Sequence, residues 1–177
     1  MRYFLIILLI VIPIKGQAKD FFLDITDQIQ DNEFRLSYGV SVTDVNKDNK
    51  FDFVVTGFGF KNLALTYKDG KLINIINEDI FTDPSRRTIG VAACDIDKDG
   101  YEEIYFLNTD TYSGDKIYSD RLLDLNKDKF IDLFEIEKNK TDLNLTAGRS
   151  VVCVDRKGNG QYLSLIHISE PTRQATI

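Results

Sequence analysis

The sequence has no tryptophan, a single histidine and only two cysteines among its 177 residues. The one histidine, His167, lies near the C-terminus, so a Ser-His-Asp triad has no base in the body of the chain, and no Gly-x-Ser-x-Gly elbow offers a nucleophile. Scarce histidine and cysteine also leave zinc without its usual ligands. Acidic residues outnumber basic ones 28 to 22, for a net charge of −6, which makes nucleic acid a poor partner. Long apolar runs are missing too. The longest, Tyr3 to Ile14, has twelve residues where a membrane-spanning helix needs about twenty.

That run sits behind a positive residue, Arg2, and ahead of "GQA", which places small residues at the −3 and −1 positions of a cleavage site. Residues 1–18 therefore read as a secretory signal cleaved after Ala18, and the expected localisation is extracellular, with no membrane span. At the other end, "LSLIHISEPTRQATI" (163–177) has no clear period and interrupts a pattern about to continue. Leu163 to Arg173 resembles the conceptual translation of a transposase adapter used in sequencing libraries, so the native reading is expected to end near Tyr162. Residues 19–162 then carry 19 basic and 27 acidic side chains, a net charge of −8.

Within 19–162 the chain repeats itself. "YGVSVTDVNKDNKFDFVVTGFG" from Tyr38 and "IGVAACDIDKDGYEEIYFLNTD" from Ile89 share an order: a small residue, alternating apolar positions, an acidic loop, a second apolar run. "GRSVVCVDRKGNGQY" from Gly148 begins a third copy. The lead aspartates are Asp44, Asp95 and Asp155, and Gly39, Gly90 and Ser150 stand five positions before them. The flanking runs (Val40 to Val45, Phe51 to Thr56, Val91 to Ile96, Glu103 to Leu107) are short and rich in Val, Ile, Phe and Tyr, as strands are. "LALTYKDGKLINI" adds a hairpin turning at Asp69-Gly70, and "RLLDLNKDKFIDLFEI" is the equivalent outer hairpin of the second copy. Four strands per 50 to 60 residues is the size of one blade, so the expected fold is all-β: a partial β-propeller of four-stranded blades, with repeats starting near 38, 89 and 148. "FFLDITDQI" (21–29) is read as an outer strand of a closing blade.

The acidic loops carry the chemistry. In the second, Asp95, Asp97 and Asp99 occupy positions 1, 3 and 5, Gly100 position 6, Tyr101 position 7 (through its carbonyl) and Glu103 position 9. The first matches with Asp44, Asn46, Asp48, Lys50 (carbonyl) and Asp52, with Asn49 in place of the glycine. Carboxylates this close repel one another unless a cation sits among them, and hard oxygens on a flexible loop favour calcium. An EF-hand would need a glutamate at position 12, where Val55 and Phe106 stand, and helices where these flanks alternate like strands. Loop two, with four carboxylates against three plus an amide, is expected to bind more tightly. Asp155, Lys157 and Asn159 share the spacing, but the lysine ammonium occupies a ligand position, so that loop is read as metal-free. Asp124, Asn126, Asp128 and Asp132 are read as a polar turn rather than a site.

Cys94 directly precedes Asp95, whereas Cys153 lies two before Asp155. They should point to opposite sides of their respective blades, which permits a disulfide between neighbours, with two buried free thiols as the alternative. Two sequons, Asn139-Lys-Thr141 and Asn144-Leu-Thr146, are candidate glycosylation sites.

Strand-flanked Asp-x-Asp/Asn-x-Asp loops preceded by "GV" resemble the FG-GAP (VCBS-type) repeats of integrin alpha-subunit propellers, and the three quoted stretches are similar, in the same order, to the N-terminal propeller of the cartilage acidic protein family. The resemblance implies a secreted calcium-binding glycoprotein of the extracellular matrix, of which this chain looks like an N-terminal piece, and partners that are matrix or cell-surface proteins or glycans. The reading favoured is a non-enzymatic binding and adhesion module. A repeat domain of a secreted hydrolase and a calcium-dependent lectin are the alternatives.

Overall fold

The computed structural model describes residues 22–112, 114–155, 158 and, for backbone alone, 163–167. The leader 1–18, Lys157, Asn159 and residues 168–177 lie outside the described residues. The chain is mostly β. Strands β1 (Val40–Thr43), β2 (Asp52–Val55), β3 (Leu63–Lys68) and β4 (Lys71–Asn74) form an antiparallel sheet in chain order, and β5 (Thr88–Cys94), β6 (Glu103–Asn108), β7 (Arg121–Asn126) and β8 (Lys129–Asp132) form a second with the same topology. β9 (Ser150–Val154) pairs antiparallel with β10 (Leu163–His167), so the backbone of the segment read as foreign stands where the second strand of a third sheet belongs.

The outer hairpins turn on two residues of positive φ, as a two-residue β-turn requires: Asp69 and Gly70 between β3 and β4, Lys127 and Asp128 between β7 and β8. Strand alternation then sorts the side chains. Val54 and Ala64 from the first sheet meet Val91, Ile104, Phe106, Leu123 and Phe130 from the second. Phe81, on the one-turn helix Asp79–Thr82 that follows the first sheet, wedges between them, its ring centroid 5.1 Å from those of Phe106 and Phe130. β6 is buried at all six positions: the first sheet covers one face, and on the other β9 packs at Gly90 while Phe134 and Asp120 cover Tyr105. The inner strands approach closely at the glycines: a Cβ added to Gly39 would lie 3.0 Å from Gly90 Cα, while one on Gly90 would meet Leu107 and Val151.

"FFLDITDQI" differs from its expected strand. Among its described residues, Thr26–Gln28 form a 3₁₀ turn, Ile29 makes one parallel bridge to Leu72, and Gln30 N–H donates to Leu72 O at 2.9 Å. The segment rests on the free edge of β4. Asp31, at φ 53°, turns the chain away after that single rung, so the pairing does not propagate.

Candidate metal centre

Loop one joins β1 to β2 and loop two joins β5 to β6, so both project from the same end of their sheets. Their internal hydrogen bonds correspond position by position. The position-5 amide donates to the position-3 side chain (Asp48 N to Asn46 Oδ1, 3.1 Å; Asp99 N to Asp97 Oδ1, 3.0 Å). The position-6 amide donates to the lead aspartate (Asn49 N to Asp44 Oδ2, 2.6 Å; Gly100 N to Asp95 Oδ2, 3.1 Å), and the position-7 amide to position 5 (Lys50 N to Asp48 Oδ1, 2.9 Å; Tyr101 N to Asp99 Oδ1, 2.8 Å). Positions 4 and 6 are left-handed in both: Lys47 and Asn49 at φ 60° and 65°, Lys98 and Gly100 at 68° and 94°. Asparagine is among the residues that tolerate this region, which accounts for Asn49 where loop two has glycine.

The position-9 carboxylates sit beneath the loops rather than on them. Asp52 is 0% exposed and Glu103 2%. Each uses one oxygen to accept the position-2 amide, Val45 N at 3.1 Å and Ile96 N at 2.7 Å. Burial pushes both carboxyls above their ordinary range, and nearby charges add to it: Asp48 and Asp44 beside Asp52, Asp97 and Asp124 beside Glu103.

Three carboxylates of loop two converge: oxygens of Asp95, Asp97 and Asp99 lie within 4.8 Å of one another. Among the described residues Asp95 Oδ1 is buried without a hydrogen-bond partner, as are Asp52 Oδ1 and Thr43 Oγ1, two residues that pair in the strand register, although the Thr66 hydroxyl acts on the Asp52 carboxyl and lowers its pKa against the larger effect of burial. A buried carboxylate oxygen with no donor is costly unless a cation occupies the position a donor would take. The oxygen-only ligand set, the unpartnered oxygens and the converging acids all fit a hard divalent cation such as calcium. The two loops also touch. Lys47 Nζ lies 3.8 Å from Asp99 Oδ2 and 4.3 Å from the centre of the Tyr101 ring.

The remaining candidates are placed as follows. Asp132 is buried and accepts from Leu122 N (3.2 Å) and Phe134 N (3.1 Å), while Asp124 and Asn126 lie on β7 and Asp128 in its turn, so these four build a hairpin. Cys94 and Cys153 are joined as a disulfide with Cα atoms 6.3 Å apart, linking the residue before the lead ligand of loop two to β9. Both sequon asparagines donate through Nδ2, Asn139 to Leu133 O at 2.7 Å and Asn144 to Asp120 Oδ2 at 2.6 Å. Two clusters lie outside the sequence motifs. Asp83 accepts from Arg86 and Arg121, and the fully buried pair Lys116–Asp120 receives further hydrogen bonds from Tyr105 Oη and the Asn108 amide. Arg86–Asp83 and Lys116–Asp120 are three and four residues apart, whereas Arg121 and Tyr105 reach these carboxylates only through the fold.

No helix of the described residues is long and apolar enough to cross a membrane. A family model for the FG-GAP-like repeat matches residues 44–106, the stretch from the lead aspartate of loop one through loop two and into β6. Cartilage acidic protein 1 from Xenopus tropicalis is 43% identical over 162 residues, covering 82% of this chain and 25% of the relative. The Homo sapiens protein is 40% identical over 162 residues (82% and 24%), and the Mus musculus protein 38% over 171 (86% and 26%). The chain thus spans about a quarter of the length of these relatives, and over most of its own length it is a homologue of cartilage acidic protein 1 carrying an FG-GAP-like repeat.

Proposed function

We propose that this chain is a calcium-binding part of a secreted extracellular matrix glycoprotein, acting without catalysis as a binding module whose sheets are successive blades of a β-propeller. The observation that carries the reading is the convergence of Asp95, Asp97 and Asp99 together with the buried, unpartnered Asp95 Oδ1. Loop one shares loop two's hydrogen-bond pattern but not the unpartnered lead oxygen, since Asp44 accepts Asp48 N and Asn49 N. Its ligands would be Asp44, Asn46, Asp48, the Lys50 carbonyl and Asp52, in the roles of Asp95, Asp97, Asp99, the Tyr101 carbonyl and Glu103. A bound cation would neutralise the carboxylates and cross-link each loop to the strand beneath it. The loops would then form one rigid rim of the molecule, leaving other surfaces to engage matrix or cell-surface proteins or glycans. Secretion rests on the leader 1–18, and Asn139 and Asn144 are the sites at which glycan attachment would be sought. Homology to cartilage acidic protein 1 supports the matrix assignment.

Isothermal titration of the chain with calcium tests the reading. Two sites are expected, and Asp95→Ala should remove the tighter one while Asp44→Ala removes the weaker. Absence of calcium heats from the wild-type chain would overturn the metal assignment, and a larger loss from Asp44→Ala would overturn the ranking.

A further inference from the structure

The ends of the sheets opposite the acidic loops hold a second chemistry. Chain direction places it: the acidic loops leave β1 and β5, whereas Phe58 and Thr109–Tyr112 follow β2 and β6, and Arg87 and Arg149 immediately precede β5 and β9. These residues, with Asp110, line a groove of about 170 Å³. Its two arginines differ from Arg86 and Arg121, which both pair with Asp83. Among the described residues neither Arg87 nor Arg149 has a carboxylate within ion-pair distance, in a chain that carries 28 acids. Each is held over an aromatic ring instead, Arg87 5.9 Å from the centre of Phe58 and Arg149 4.3 Å from that of Tyr112, and Arg149 also donates to the Tyr112 carbonyl. Arg87 stands in the left-handed region at φ 52°, and its carbonyl accepts from Thr109 N at 3.2 Å, which ties the arginine to the β6–β7 loop. The one carboxylate lining the groove, Asp110, keeps its charge but pairs with neither arginine among the described residues; its Oδ2 accepts the amides of Ile117 (2.8 Å) and Tyr118 (2.9 Å).

A guanidinium held over a ring keeps N–H groups at its edge available, and a side chain ordered in advance costs less to fix when an anion arrives. Tyr112 of the lining and Ile117, whose amide donates to Asp110 of the lining, are 84% and 82% exposed, large apolar side chains of the kind that anchor protein contacts. The groove has room for one anionic group, and a chain of net charge −6 repels a polyanion at longer range. A long sulfated glycan would want a track of cations. One carboxylate flanked by apolar residues needs only what is here.

We propose that the Arg87–Arg149 groove, with Tyr112 and Ile117 at its edge, is a docking site for an acidic side chain on an extended segment of a protein partner. The inference rests on reading the chain as a binding module. Random peptides displayed on phage are selected against the full chain at physiological salt, and the winners are measured on wild type, Arg87→Glu, Arg87→Lys and Arg149→Gln, with immobilised heparin run in parallel. The selected peptides should carry an Asp or Glu whose amide replacement weakens binding about tenfold. Arg87→Glu, at an exposed position, should abolish binding without moving the melting temperature. Arg149→Gln should weaken it, and Arg87→Lys, which keeps the charge but loses the fork, should fall between. Peptides that bind Arg87→Glu as well as wild type, or that need no acid, would overturn the site while leaving the binding-module reading intact. Heparin binding sensitive to Arg87→Glu without any acidic peptide would assign the groove to a sulfated glycan and overturn the peptide proposal. No binding to either would count against the groove and the module together.

Discussion

Asp83 gathers partners both near in the sequence, Ser85 and Arg86, and far from it, Arg121. Its Oδ2 accepts from Arg86 Nε at 3.1 Å and from the Arg121 guanidinium at 3.0 Å, and Ser85 N donates to its Oδ1 at 3.1 Å. Arg121 also donates to Ile80 O, and Arg86 to Ser119 O, so one carboxylate ties the connection between the two sheets to the start of β7. Burial pushes this carboxyl up, but the Ser85 hydrogen bonds and the charges of Arg121 and Arg86 outweigh it and leave the group below its ordinary value of 3.8. A depressed folded-state pKa contributes stability that is present above the unfolded value and is lost as pH falls through the folded one. Asp83→Asn should therefore lower stability near neutral pH by about 1–3 kcal/mol, the scale of charged hydrogen bonds. The gap to wild type should close below about pH 4, where the wild-type carboxyl also begins to protonate. Melting both proteins across that range checks it, and a pH-independent gap would show that the charge is not the source. Arg121 is 38 residues from Asp83, which is why that contact was invisible in the sequence. The acidic loops were legible for the opposite reason: all their ligands fall within nine consecutive residues.

At the scale of elements, the strand content was readable because each strand is bounded by its own punctuation. Asp69-Gly70 turns the first outer hairpin, the lead aspartates end β1 and β5, and apolar alternation fills the intervals. The N-terminal segment failed the same test, since its pattern is that of a strand but the edge beside it accepts only the rung at Ile29. A small residue stands five positions before each lead aspartate, and at Gly39 its cause is steric. A methyl group on Gly39 would lie 3.0 Å from Gly90 Cα, 3.1 Å from Ile89 O and 3.2 Å from Thr56 Cγ2, and the first two are backbone atoms of the neighbouring sheet. On Gly90 it would meet only side chains, Leu107 and Val151, at 3.4–3.5 Å, which is ordinary contact. Gly39→Ala should thus cost about 1–3 kcal/mol by forcing the inner strands apart, and Gly90→Ala less than about 1 kcal/mol. Denaturant midpoints of the two variants decide the matter. Equal losses would mean that the inner strands move apart freely and that the glycines are not what sets their spacing.

Across the whole molecule the two four-stranded sheets have one topology and different surroundings. The second is covered on both faces. The first buries Val54 and Ala64 against it, but its other face presents Val40, Val42, Phe53 and Tyr67, with Val40 62% and Tyr67 61% exposed. Val42 and Phe53 are cross-strand partners, so the apolar surface is continuous across β1 and β2. A sheet with an uncovered apolar face and an open edge is a template for association. The chain spans about a quarter of its relatives' length, and a further repeat laid on this face would give it the environment the second sheet already has. By itself, the 177-residue chain should therefore self-associate at micromolar concentration. Phe53→Lys should shift it toward monomer in sedimentation velocity, because the side chain points away from the core of Val54, Phe81 and Phe106 and its replacement leaves that core in place. A wild-type chain that sediments as a monomer and melts sharply and reversibly would show that two sheets and a hairpin suffice, and that the uncovered face needs no partner.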